Sequence, residues 1–232
     1  MEATSKDSLI VLLTARAYLY HILHSLYGNH PDTQLFEVLR GDITSEAIDL
    51  FSAASNGDFG ASALCFQEAL NRVSAAEIEA LDEVYTKIFI GPNKLIAPPW
   101  ESVYASKDRI LFSSVTLDVR NVYRSQGFIP KGYPVVDDTH IALELEFMAE
   151  LGDAASAALQ KEDNWDATNV STKLETSAEF LDKHLLTWVN EFASAIKSCE
   201  SAGIYAAAAT FLTEFLKADR IILNELIMII HE

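Results

Sequence analysis

The chain is short of cysteine, glycine, proline and positive charge, and each shortage removes a class of answers. Its two cysteines, Cys65 and Cys199, have no CxxC spacing and no histidine-rich neighbourhood, which argues against a zinc site or a dithiol redox motif. They read as small buried hydrophobes of a reducing compartment. Nine glycines and six prolines in 232 residues are too few for the many tight turns of a β-sandwich. Seventeen Lys and Arg against 34 Asp and Glu give a formal net charge of −17. Such a surface repels the phosphates of nucleic acid and of an anionic membrane, and attracts a basic peptide. No uncharged apolar run of about 18 residues is present, so no membrane span is expected. The apolar run from Leu9 to Leu13 follows Glu2 and Asp7 rather than a basic region, and its periodicity continues past Arg16. It therefore reads as a helix and not as an export signal, and the expected location is the cytoplasm.

What is present favours helix. Hydrophobic residues make up 50% of the chain, and Ala, Leu and Glu are abundant. Ser5 to Tyr27 predicts a first helix stopped by Gly28-Asn29, with Leu9, Leu13, Arg16, Tyr20 and Leu23 mostly on one face. Its His21 and His24 stand one turn apart, a spacing that can ligate metal, but no carboxylate accompanies them in sequence. Shorter helices follow over Asp32 to Leu39, Thr44 to Ala54 and Gly60 to Val73. Ser74-Ala75-Ala76-Glu77 is a capping box that opens a helix ending near Ile90. Val115 to Gly127 is another, in which Arg120 is expected to pair with Asp118. Asp138 is expected to cap a helix running to about Gln160. Asn164 or Asp166 opens the next, Leu185 to Ser198 follows, and Gly203 opens the last. The end of that helix, Ile221 to Ile230, is apolar nearly all round, which suits either a central core position or burial against another subunit. The reading is an all-α fold, a single globular helical bundle of roughly ten helices over residues 1–232. A sub-division near 127–137 is possible on loop composition.

The chemistry concentrates between Phe89 and Phe147. Pro92, Pro98 and Pro99 force extended backbone between two helices, and Trp100 opens the next ordered piece. If that piece is helical, Trp100 and Tyr104 lie one turn apart, forming either an apolar shelf for a peptide or a plug in the core. At about 100° per residue, Ile141, Leu145 and Met148 form one apolar sector of the later helix, and Leu143, Phe147 and Leu151 a second. His140 and Glu144 fall between them, while Glu146 and Glu150 face the other way. Glu144 is therefore expected to be partly buried, and a buried carboxylate must be hydrogen-bonded or paired. Either it accepts backbone N–H groups from the proline-rich loop, or Asp138, His140 and Glu144 line a pocket for a cationic ligand. Enzyme signatures are mostly absent: no Glu-x-x-His pair, no His-Glu-x-x-His, no Gly-x-Ser-x-Gly, no Gly-x-Gly-x-x-Gly and no Walker A loop. The reading is not an enzyme, with no cofactor and no metal. The alternatives are a helical enzyme with a metal on His140, Glu144 and a distant His184, and a dimeric scaffold built on Ile221 to Ile230.

Three blocks resemble the TorD/DmsD family of redox-enzyme maturation chaperones. Phe89-Ile90-Gly91-Pro92 with Pro98-Pro99-Trp100-Glu101-Ser102-Val103-Tyr104 and Thr116 to Arg120 form the first. His140-Ile141-Ala142-Leu143-Glu144-Leu145-Glu146-Phe147-Met148 is the second, and His184-Leu185-Leu186-Thr187-Trp188-Val189 the third. The likeness spans roughly Leu9 to Leu223. It implies an all-helical cytoplasmic chaperone that binds the twin-arginine signal peptide, or the catalytic subunit, of a molybdopterin-dependent oxidoreductase and delays export until the cofactor is inserted. Family members are monomers or domain-swapped homodimers, and weak guanine-nucleotide binding has been proposed for some. On this resemblance the peptide contacts are Trp100, Glu101, Tyr104, Asp138, His140 and Glu144. One departure stands out: the family's usual Asp before the helix histidine is Thr139 here. Two guanidinium groups followed by an apolar segment call for carboxylates beside an apolar groove, which an acidic helical protein can supply.

Overall fold

The computed structural model describes residues 3–55, 57–105, 111–130, 136–161 and 166–231. Eleven α-helices occur among them: α1 Ala3–Gly28, α2 Thr33–Arg40, α3 Asp42–Ala54, α4 Phe59–Arg72, α5 Ala75–Tyr85, α6 Glu101–Ala105, α7 Ser114–Ser125, α8 Ile141–Leu159, α9 Ala167–Phe180, α10 Leu186–Lys197 and α11 Ile204–His231. They form one all-α helical bundle with no strand, and the described residues carry a single isolated bridge, Trp100 to His140. Helix starts read from the sequence are in place. Asp32 accepts from Leu35 N, Asp166 from Asn169 N, and Ser74 with Glu77 makes the capping box. The expected Asn164 start lies outside the described residues.

α8 is the axis of the bundle. Residues on almost every side of it are buried, including Ile141, Leu145, Phe147, Met148, Leu151 and Leu159, as expected of a helix with two apolar sectors. α1 lies along it, and α9 packs on another side. α11 is the second central helix, in contact with α4, α9 and α10. Helices on either side of 127–137 thus pack directly on one another. Ring contacts tie the layers together. Tyr20, Phe51, Phe59, Phe66, Phe211 and Phe215 form one aromatic cluster between α1, α3, α4 and α11. Tyr123, Phe128, Phe147 and Phe180 form another around α7, α8 and α9. α11 is core rather than interface over most of its length, although Ile221, Met228 and Ile229 near its end are exposed.

From Lys6 to Gly28, α1 is long and apolar enough by length and composition to cross a membrane, with a mean hydropathy of 1.4. Over its most apolar 18 consecutive residues, 56% are buried inside the protein. Its centre holds Arg16, fully buried, whose Nε lies 2.6 Å and whose Nη2 lies 3.0 Å from the two carboxylate oxygens of Asp219 on α11. Tyr20 Oη donates to the same carboxylate at 2.6 Å. A bidentate ion pair of this kind fixes α1 against α11 in one register.

Several local expectations are corrected. α5 does not run as α-helix to Ile90: residues Thr86–Ile90 widen into a π turn, closed by Gly91 N to Thr86 O at 2.8 Å. Gly91 then turns out at φ +106°, a conformation that suits glycine. A second π turn, Leu181–Leu185, joins α9 to α10. Cys199 is buried as expected, but Cys65 is exposed, because it lies on the outer side of α4. Asp138 does not cap α8. His140 does, through Nδ1, which accepts from Ala142 N at 3.1 Å. Arg120 pairs with Asp138 at 2.6 Å, not with its sequence neighbour Asp118, which is exposed.

Candidate functional site

The prolines before Trp100 hold residues 97–100 extended, and this stretch meets the segment that leads into α8. Ile141 N donates to Pro99 O at 2.8 Å and Glu101 N to Thr139 O at 2.9 Å. The result is a two-residue ladder that places the Trp100 ring edge-on to His140, with centroids 5.5 Å apart. Behind it, Asp137 organises the entry to α8. Its carboxylate accepts from Thr139 N at 2.9 Å, Thr139 Oγ1 at 2.7 Å, Thr116 Oγ1 at 3.3 Å and Phe112 N at 2.7 Å. Phe112 sits at φ +56°, uncommon for a side-chain-bearing residue and held by that last bond. Thr139 is fully buried, and its hydroxyl also lies 3.1 Å from Ser102 Oγ. The residue that departs from the family pattern is therefore an internal tie between the two segments.

The six sequence-predicted contacts come together, but they divide by accessibility. Trp100, Tyr104 and His140 are half-buried and reach the surface. Glu101, Asp138 and Glu144 are 2%, 1% and 0% exposed, and all three point into the protein. Asp138 is neutralised by Arg120. Glu101 accepts from His184 Nδ1, 3.1 and 3.2 Å from its two oxygens. Glu144 Oε2 accepts from the Trp188 indole N–H at 3.3 Å, rather than from backbone N–H groups of the proline-rich loop. Its Oε1 meets no donor among the described residues, and the Glu101 carboxyl is in hydrogen-bond contact with it as a group. Burial first, and then the Glu101 charge, push the Glu144 carboxyl well above the usual carboxylate range. Tyr104 lies on Trp188, centroids 5.2 Å apart, and so closes this cluster from outside.

His140 is held neutral. Burial, reinforced by the nearby His24, lowers it to about 4, and its Nδ1 must lack a proton to accept from Ala142 N. His24 donates from Nδ1 to Ala142 O at 2.8 Å, while His21 binds Asp153, so the α1 histidines serve separate structural bonds. Among the described residues, no group of three or more His, Cys, Asp or Glu is placed to hold a metal. Sequence reasoning missed Ser102, Thr116 and Asp137 as the polar frame of the site. The signal was available in the unusual run Asp137-Asp138-Thr139, since buried carboxylates need several donors each.

Residues 53–194 match the family model described as the nitrate reductase delta subunit. The chain belongs to that family, the TorD/DmsD family. Among its curated relatives, a chaperone protein TorD of Vibrio cholerae is 27% identical over 97% of this chain and 99% of its own length. A Tat proofreading chaperone DmsD of Haemophilus influenzae is 27% identical over 59% of each chain. A solved structure, a redox enzyme maturation protein of Archaeoglobus fulgidus, aligns with a TM-score of 0.49 at 23% identity, covering 87% of this chain and 93% of that one. The TorD/DmsD model spans all three blocks that meet at the site from Trp100, and its matched region ends after α10 has supplied Trp188.

Proposed function

We propose that this TorD/DmsD protein is a cytoplasmic maturation chaperone for a molybdopterin-dependent oxidoreductase, not an enzyme, and that it binds the twin-arginine signal peptide of the catalytic subunit. The observation that carries the reading is the junction of the family's blocks at one half-open surface, where Trp100, Tyr104 and His140 reach solvent. Trp100 and Tyr104 offer rigid aromatic area to the apolar part of a leader. The neutral His140 ring adds a hydrogen-bonding group without positive charge. Glu101, Asp138 and Glu144 act from beneath, fixing the geometry of that surface. The net charge of −17 attracts the two guanidinium groups and favours rapid encounter.

Calorimetric titration with a twin-arginine leader and its twin-lysine counterpart tests the proposal. Micromolar binding that weakens with twin lysine, and that weakens further in Trp100→Ala and His140→Asn, is the expected result. Asparagine keeps the helix cap, so a loss in His140→Asn reports on the ring rather than on folding. Failure of several leaders to bind would overturn leader recognition by this chain.

A further inference from the structure

The two buried glutamates pose a problem that one proton solves. Glu101 and Glu144 come from different helices, α6 and α8, and are 2% and 0% exposed. Their carboxyl groups touch, no Lys or Arg is bonded to either among the described residues, the one imidazole in contact, His184, faces Glu101 and not Glu144, and Glu144 Oε1 has no donor. Two bare carboxylates at hydrogen-bond distance inside a protein repel strongly, and an orphan buried acceptor costs free energy of its own. If the pair holds a proton, the orphan becomes a donor and the repulsion becomes a hydrogen bond. The pair then satisfies its remaining valences with the His184 and Trp188 N–H groups already in place.

Among the described residues no Lys or Arg faces the pair, and the His184 ring reaches Glu101 alone. From α6 the facing groups are Glu101 and Tyr104, from α7 Tyr123, from the loop Asp137, from the π turn His184 and from α10 the Trp188 indole. Arg120 is spent on Asp138. α1 sends His24 to the Ala142 carbonyl, and α9 sends Lys173 to Gln126, so neither reaches this carboxyl. The neighbouring acids raise Glu144 in the same direction as burial, and Tyr123 is pushed up by burial and then by the same carboxyls.

We propose that Glu101 and Glu144 share one proton, and that this proton clamps α6 onto α8 and α10. α6 has five residues, and its other ties are the Thr139 bonds to Glu101 N and Ser102, the His184 contact with Glu101 on the π turn, and the Tyr104 stack on Trp188. Loss of the proton leaves two negative charges between α6 and the axis helix, so the short helix shifts outward and takes Tyr104 and Trp100 with it. The clamp itself needs no ligand. Its consequence for peptide binding, a site set at neutral pH and loosened in alkali, rests on the leader-binding reading.

The test is made on the whole protein without and with peptide. Isotope-edited infrared spectroscopy at neutral pH is expected to show the carbonyl band of one protonated glutamic acid, absent in Glu144→Gln. Absence of that band in the wild type overturns the shared proton, whatever the peptide does. Glu144→Gln is expected to keep the wild-type denaturation midpoint near neutral pH and to exceed it in alkali, because the amide supplies the same donor and cannot ionise. A midpoint far below wild type at neutral pH would mean that Glu144 works as a carboxylate and would refute the clamp. Leader affinity in the wild type should fall several-fold from neutral to alkaline pH, and the fall should be absent in Glu144→Gln. Binding with no such pH difference keeps the leader reading and removes the link, whereas no binding at all removes the leader reading and leaves the clamp to the infrared band.

Discussion

Replacing Asp219 by alanine strips the Arg16 guanidinium of its only counter-charge among the described residues. Both side chains have zero exposure, so solvent cannot take over. Burial is the strongest single influence on Arg16 and opposes its charge, and Asp219 and Tyr20 together more than offset it. Without Asp219, Arg16 keeps only the face of Tyr20, 5.0 Å from its guanidinium carbon, and Tyr20 Oη loses its acceptor. Arg16 Nη1 already lacks a partner among the described residues. Removing one member of a buried pair costs about 3–5 kcal/mol, a large share of the roughly 5–15 kcal/mol that holds a typical domain folded. Replacing the whole network by apolar groups, Arg16→Met with Tyr20→Phe and Asp219→Leu, removes charge and desolvation penalty together, and is expected to return stability to within about 1–2 kcal/mol of wild type or above it. Urea denaturation of the single and triple variants at constant slope reads both values. An Asp219→Ala loss below about 1 kcal/mol, or a triple variant no better than Asp219→Ala, would refute the view that this pair supplies register rather than net stability.

The other predictions concern the axis helix α8. The folded His140 value of about 4 lies below the ordinary 6.5, so the native state binds fewer protons than the unfolded chain. Its contribution is complete above the ordinary value and is lost as pH falls toward 4, at about 1.4 kcal/mol per unit and on the order of 3 kcal/mol in all. Stability against pH should therefore be steeper in the acid range for the wild type than for His140→Asn; parallel curves would disprove it. A Cβ on Gly152 would sit 3.0 Å from Ala17 Cβ and 3.1 Å from Arg16 Nη1. Gly152→Ala should thus cost about 1–3 kcal/mol by wedging α1 off α8, and a denaturation midpoint equal to wild type would show that the helices yield.

Helices and caps were legible because they are local. Asp32, Ser74 with Glu77, and Asp166 each find their partner within three residues. The misread polar pairings have partners that are distant in sequence. Asp138 is drawn from capping duty by Arg120, 18 residues earlier on another helix. Arg16 and Asp219 meet across 203 residues, although Arg16 on the apolar face of the first helix was a visible hint that it needs a buried partner. The π turns at Thr86–Ile90 and Leu181–Leu185 read as ordinary helix, since one extra residue hardly disturbs a period of 3.6. The second of them carries His184 to Glu101.

That last contact completes a circuit among three short blocks that lie far apart in the chain. Trp100 packs on His140, joining the first block to the second. Glu101 touches Glu144 and accepts from His184, joining the first to the second and the third. Trp188 donates to Glu144 and receives Tyr104, closing the circuit from the third block to the other two. Each block buries a polar group whose partner lies in another, so a change in one strands a donor or acceptor in its neighbour. Thr139 fits the same logic: its hydroxyl bonds to Asp137 and contacts Ser102, so replacing the family's usual Asp there keeps a polar tie between the first two blocks while removing one negative charge from a cluster that already crowds Glu101, Asp137 and Glu144.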